Sequence, residues 1–165
     1  MLMNQKEFKK LISDQSDLSK FDFTDLRLKN LEISSLDLRY VSFVGANFEN
    51  VKFENCDLGG ADFTSSELSK VTFDSIDLRW SVFELSSLIS VNFKKINGLE
   101  INFKKSNLQA VNFNVSDMRR CKFNYSNLIG VDFVDCNLAQ SEFTNCEKTS
   151  VGFNDSNLYL SLIHI

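Results

Sequence analysis

Residues 61–75 read Ala61-Asp62-Phe63-Thr64-Ser65, Ser66-Glu67-Leu68-Ser69-Lys70, Val71-Thr72-Phe73-Asp74-Ser75. Each five carries a small or apolar residue, a polar one, a large apolar one and two more that are mostly polar. Followed outward, the same frame holds from Leu18 to Ile163: of thirty central positions only Gly98 and Lys148 are not large and apolar. Phe stands at every tenth residue from Phe43 through Phe153. A helix buries a stripe with a period of 3.6 and a half-buried strand with a period of 2. Five fits neither, since it turns a helix by about 140° and reverses a strand's side chain at each step. The chain must turn a corner in every unit and point the same residue inward each time.

Units such as Cys56-Asp57-Leu58-Gly59-Gly60 and Ser126-Asn127-Leu128-Ile129-Gly130 extend the pattern. Over about residues 16–163 the chain resembles the pentapeptide-repeat family. That resemblance implies an all-β fold, a right-handed quadrilateral β-helix with four units per coil and about seven coils. The family favours Ala before the Asp or Asn, whereas Val, Ser, Cys and Ile mostly fill that slot here.

With four units per coil, residues twenty apart stack. Phe23, Phe43, Phe63, Phe83, Phe103, Phe123 and Phe143 form one column, and Ile33 and Phe53 through Phe153 the opposite one. Leu dominates the two columns between them. At roughly 4.8 Å per coil such an interior is filled by rings, with no room for a cofactor. Gly98 and Lys148 should distort their coils: an empty slot invites Leu99 or leaves a cavity, and an ammonium cannot be buried uncompensated. Residues 1–15 are expected to cap the first coil, because Phe8, Leu11 and Ile12 have helical spacing among charged neighbours over about 4–13. Residues 159–165 form an apolar tail, with Tyr159, Leu160, Leu162 and Ile165 on slots that elsewhere are mostly polar. Two readings stand for it, a cap folded over the last coil or a surface for dimerisation.

The composition suits one domain: 165 residues, 43% apolar, net charge −4. No stretch approaches the roughly 18 apolar residues of a membrane span, and residues 1–6 carry no hydrophobic signal region. The four cysteines all fill the inward slot two residues before a central one, where they act as small hydrophobes. Reduced thiols lead us to expect a cytoplasmic protein. His164 is the only histidine, so no Cys–His pair or histidine metal cluster is available. No P-loop or dinucleotide-binding glycine pattern occurs. No catalytic, cofactor-binding or metal residues are assigned, and an enzyme is not expected.

The outer surface remains. One face carries Asp17, Asp37, Asp57, Asp77, Asn97, Asp117, Asn137 and Asn157, with Arg39, Arg79 and Arg119 flanking it every forty residues and Tyr40, Trp80 and Arg120 just beyond. One reading is structural: Asp and Asn bind local backbone at turns and each arginine neutralises its own aspartate. The other is an interaction face comprising Asp37, Arg39, Tyr40, Asp57, Asp77, Arg79, Trp80, Asp117, Arg119 and Arg120, since exposed aromatics among arginines have hot-spot composition. Residues 1–90 sum to −5 and residues 91–165 to +1. The basic residues Lys94, Lys95, Lys104 and Lys105 divide between opposite faces, so direct nucleic-acid binding is not expected. The resemblance also implies a possible partner, because proteins of the Qnr/MfpA type are dimeric DNA mimics that bind DNA gyrase and topoisomerase IV, type II topoisomerases. This sequence lacks their projecting loops and a recognisable dimerisation helix. The preferred expectation is a protein-interaction scaffold of unidentified partner, with topoisomerase modulation as the alternative and a homodimer through the C-terminal end left open.

Overall fold

The structure is a computed structural model and describes residues 3–162. After a helix, α1 (Gln5–Asp14), the chain winds into a parallel solenoid in which every pairing links residues twenty apart. Two faces of the solenoid are sheets. The strands β1 (Arg27–Ser34) and β2 (Asn47–Glu54) each run through the corner between these faces. Beyond them each coil is split into short pairs: β3 (Glu67–Ser69) and β4 (Thr72–Asp74), β5 (Ser87–Ile89) and β6 (Asn92–Lys94), β7 (Asn107–Gln109) and β8 (Asn112–Asn114). Then come β9 (Asn127–Ile129), β10 (Asp132–Val134) and β11 (Glu147–Thr149). The sheet order β10-β8-β6-β4-β2-β3-β5-β7-β9-β11, with β1 on β2, records two parallel stacks joined at one corner. The other two faces are joined by single parallel bridges, from Asp17↔Asp37 to Asn137↔Asn157 on one and from Asp22↔Ser42 to Glu142↔Leu162 on the other.

The corner is made by one residue. At every fifth position from Lys20 to Leu160 the backbone is left-handed, and only Gly45, Gly60 and Gly130 among these residues are glycine. A left-handed L-residue costs roughly 1–2 kcal/mol. Coil-to-coil hydrogen bonds hold it there, as when Tyr40 N donates to the Gly59 carbonyl and Trp80 N to that of Leu99, both at 3.0 Å.

The interior is a herringbone of rings. Within a column the rings stack nearly parallel (Phe63 on Phe83, centroids 4.6 Å apart and planes 3° apart), and across the core they meet edge to face (Phe63 and Phe73, 6.0 Å and 85°). Both geometries are the favourable ones for aromatic quadrupoles. Every register Phe from Phe43 to Phe143 is buried. Phe153, expected to be buried, is half-buried because no further coil covers it among the described residues.

Neither expected distortion is present. At Gly98 the coil is regular, with Gly98 N donating to the Asp117 carbonyl at 2.7 Å. Its slot is filled by Ile101 and Met118, whose Cδ1 and Sδ would lie 2.8 and 2.9 Å from a Cβ there; Leu99 stays half-buried at the turn. The larger side chains from the next unit and the next coil take up the volume that the central residue lacks. Lys148 remains in an unbulged ladder opposite Leu128 and is half-buried. Its slot lies in the last described coil, and no further coil stacks on it among the described residues.

The N-terminal end is capped as the periodicity predicts. Asn4 and Glu7 form a capping box, each side chain accepting from the other's backbone N–H. Phe8 is buried against Phe23, centroids 5.2 Å apart at 85°. The Gln5 side-chain amide pairs with the edge of β1: its Nε2 donates to Lys29 O (3.0 Å) and its Oε1 accepts from Lys29 N (2.7 Å). It thus stands in for a peptide unit of a preceding strand. At the other end, Tyr159, Leu160 and Leu162 are exposed and continue the coil, the Tyr159 and Leu162 carbonyls accepting from Gln140 and Phe143. Residues 163–165 of the expected tail lie outside the described residues.

Candidate interaction face

The aspartate ladder is first a backbone device. The Oδ1 atoms of Asp17, Asp37, Asp57, Asp77 and Asp117 accept the N–H two residues on, at 3.0–3.3 Å. Asn137 and Asn157 do the same for Ala139 and Tyr159. These are Asx turns at the corner, and they explain why Asp and Asn alternate freely in this slot. Charge is a separate matter. Wherever the residue two positions on is arginine, the slot holds Asp, and the guanidinium forks back onto it: Arg39 Nε to Asp37 Oδ1 at 2.9 Å, Arg79 Nη2 to Asp77 Oδ2 at 2.6 Å, Arg119 Nη2 to Asp117 Oδ2 at 2.7 Å. The arginine bonds hold the Asp37 and Asp117 carboxyls below the usual carboxylate range, partial burial opposing, and raise all three guanidinium groups further.

Asp57 has Gly59 at that position instead, and its nearest cation is Arg39 Nε at 3.8 Å. Gly59 and Gly60 together leave a bare stretch between two aromatic side chains. Below it, the Tyr40 ring leans over Gly60, where any Cβ would collide with it. Above it is Trp80, with the Arg79 guanidinium carbon 5.2 Å from its ring centroid. Tyr40 and Trp80 are 59% and 48% exposed. A cation held on an indole face contributes about 0.5–1 kcal/mol at such a site, so Arg79 biases the indole toward this orientation.

The predicted residues therefore fall into two groups. Asp37, Arg39, Tyr40, Asp57, Asp77, Arg79 and Trp80 surround the bare stretch. Asp117, Arg119 and Arg120 lie on the same edge two coils further, where Arg120 is tied to Glu100 (3.2 Å) and Gln140 (2.9 Å). The sequence reading overlooked Gly59, Gly60, Glu100 and Gln140. The signal for the first two was available, since Gly59-Gly60 is the chain's one Gly-Gly pair.

The lysines noted in the sequence are partly paired: Lys94 with Asp74 and Lys105 with Glu84, each at 3.5 Å. Cys56, Cys121 and Cys136 are buried, and burial pushes their thiols and that of the half-buried Cys146 up, which makes them poor nucleophiles. Among the described residues no three His, Cys, Asp or Glu side chains form a metal-holding group, and no helix is long and apolar enough to cross a membrane. His164 lies outside the described residues.

A four-sided parallel coil with an inward residue every fifth position and a left-handed corner between units defines a right-handed quadrilateral β-helix. The profile described as a pentapeptide repeat region matches residues 6–83 and 99–164, and the chain belongs to the pentapeptide-repeat family. Among solved structures it is similar to HetL, a pentapeptide repeat protein involved in heterocyst differentiation regulation from the cyanobacterium Nostoc sp. strain PCC 7120. That match has a TM-score of 0.51 and 13% identity, and covers 94% of each chain. QnrB1, a plasmid-mediated fluoroquinolone resistance protein, matches with a TM-score of 0.43 and 17% identity over 87% of each chain. Rfr23 from the cyanobacterium Cyanothece 51142 matches with 0.42 and 13%, over 93% of this chain and 97% of that one. At these identities the likeness concerns the fold. No curated protein matches the sequence.

Proposed function

We propose that the chain is a non-catalytic scaffold that binds a protein partner through the edge bearing Arg39, Tyr40, Arg79, Trp80, Arg119 and Arg120. The observation that carries this reading is the pair Tyr40 and Trp80, both exposed, one resting on Gly60 and the other braced by Arg79. Rigid aromatic and guanidinium groups dominate interface energetics, and a side chain already held in place loses little entropy on binding. The four free cysteines support a reducing, cytoplasmic setting.

The alternative is a DNA mimic acting on DNA gyrase or topoisomerase IV, and Asp17 and Asp57, which lack an arginine two residues on, favour it. Against it, Arg39, Arg79 and Arg119 interrupt the acidic ladder at Asp37, Asp77 and Asp117, so mixed charge supports the scaffold. The test is capture of partners on the immobilised protein, alongside gyrase supercoiling assays. Binding lost in Trp80→Ala and Arg79→Ala supports the proposal. Binding lost only when Asp37, Asp57 and Asp77 are changed together to Asn, with an effect on supercoiling, supports mimicry instead. Partners retained by all these variants would remove this edge from consideration.

A further inference from the structure

The bare stretch between Tyr40 and Trp80 has a length, and the length selects a ligand. Tyr40, Gly60 and Trp80 occupy the same corner in three successive coils. With coils roughly 4.8 Å apart, the two aromatic corners stand roughly 9.6 Å apart along the rod. Arg39, Arg79 and Arg119 repeat at the same two-coil interval. A partner lying along this corner is read at that interval. A β-strand presents side chains to one side every 6.4–6.8 Å or so, which is out of step at once. Two turns of an α-helix advance about 10.8 Å, and four coils on the mismatch exceeds about 2 Å. A polyproline II helix advances about 3.1 Å per residue with three residues per turn, so one side recurs every 9.3 Å or so. Its period stays within about 1 Å of the rod's over four coils.

The surface chemistry agrees. Pyrrolidine rings pack on aromatic faces, and the helix is extended before it binds, which lowers its ordering cost. Gly59 and Gly60 add no side chains of their own, so the Tyr40 ring can lie over Gly60 and offer its face to a ridge of prolines. Around it stand three carboxylates, Asp37, Asp57 and Asp77, against two guanidinium groups, Arg39 and Arg79. The uncompensated charge is centred on Asp57, whose side chain is 41% exposed. A cation on the ligand would complement it. The 165 residues contain no proline, so the occupant lies outside them.

We propose that a proline-rich segment in the polyproline II conformation, with Lys or Arg beside its prolines, docks along the corner formed by Tyr40, Gly60 and Trp80, parallel to the rod axis. This rests on the interaction edge of the preceding section and specifies its ligand. Trp80 is the only tryptophan, so its fluorescence reports on the site directly. Titration with a ten-residue proline peptide flanked by arginines should shift Trp80 emission saturably. Tyr40→Ala, at an exposed position, and Asp57→Asn, at a half-buried one whose replacement keeps the oxygen that accepts from Gly59 N, should each weaken binding roughly tenfold. The same peptide flanked by glutamates, or with alanine in place of proline, should bind more weakly by a similar factor. No saturable response in the unaltered protein overturns the proposal, as does equal binding of the alanine peptide. The two levels separate cleanly. A captured partner that depends on Trp80 but is not displaced by the proline peptide defeats this inference and leaves the edge standing. A partner indifferent to Trp80→Ala defeats the edge itself.

Discussion

Single residues in this fold are governed by whether one slot, repeated many times, suits them. The inward slot of Ser66 holds Ala46 below it and Ser86 and Ser106 above it in the same column. Ser86 and Ser106 donate their hydroxyls to the carbonyls of Phe83 and Phe103, whereas Ser66 Oγ is buried with no hydrogen-bond partner. An unsatisfied buried hydroxyl costs about 1–3 kcal/mol. Ser66→Ala should therefore raise unfolding stability by about 1 kcal/mol, measured by urea denaturation, while Ser86→Ala should lower it. Gly98 is the opposite case, a slot with no spare room. Gly98→Ala should cost about 1–3 kcal/mol through overpacking. Ile101→Val removes the Cδ1 atom that obstructs the new methyl, so a double-mutant cycle should show part of that loss recovered. Additive effects would mean that Met118 and the Asp117 carbonyl carry the clash alone.

At the scale of elements, the fivefold register specified the coil and the columns, because a core admits only one phase of a strong period, and the helical spacing of Phe8, Leu11 and Ile12 specified the N-terminal helix. It could not specify the corners. Val115 and Ala110 sit in the left-handed conformation, against the preference of their residue types, since hydrogen bonds from the neighbouring coils override local propensity. Nor could it foresee that Ile101 and Met118 fill the gap at Gly98, which is a matter of packing between units and not of the register within one. In the candidate edge the sequence identified the aromatic and charged side chains; the Gly59-Gly60 pair was equally visible, but its part in the site depends on the Tyr40 ring lying over Gly60, a side-chain orientation that no pattern of residue types specifies. The capping element rests on a contact no periodicity announces, the Gln5 amide on the edge of β1. Gln5→Ala strips partners from the Lys29 N–H and C=O and should cost about 1 kcal/mol. Amide exchange at Lys29 should accelerate while exchange at Phe103 and Phe113 is unchanged. An unaltered Lys29 rate would show that water replaces the glutamine without loss.

For the whole molecule, two forces act along the rod with different reach. Charge acts through local forks. Asp37 and Asp117 have pKa values lowered in the folded state, chiefly by their arginine hydrogen bonds. Their contribution is therefore complete above the ordinary carboxylate value, about 3.9, and is lost as the pH falls through the lowered folded values. Melting temperature should fall on acidification below about pH 4, and less steeply in an Arg39→Ala, Arg119→Ala double variant that has already lost the forks.

Packing acts from coil to coil. In a solenoid each coil contacts only its neighbours, so stability is a sum of coil terms and interface terms. Phe103 is the midpoint of that chain: it stacks on Phe83 at 5.1 Å and Phe123 at 4.9 Å and meets Phe93 and Phe113 edge-on. Phe153 lies near the end of the same herringbone and is half-buried, with Phe133 and Phe143 beside it. Phe103→Ala should cost about 3–5 kcal/mol, whereas Phe153→Ala should cost distinctly less because less of its ring leaves water on folding. The positions also differ in consequence. Loss of the central ring weakens the interfaces that couple the two halves of the rod, and the half covered by α1 should outlast the other. Chemical denaturation of Phe103→Ala should then spread into two transitions, or show a lowered m-value, while Phe153→Ala keeps a single steep one. A single transition with unchanged m in both variants would mean that coupling between coils is strong enough to survive a missing ring, and that the rod unfolds as one unit.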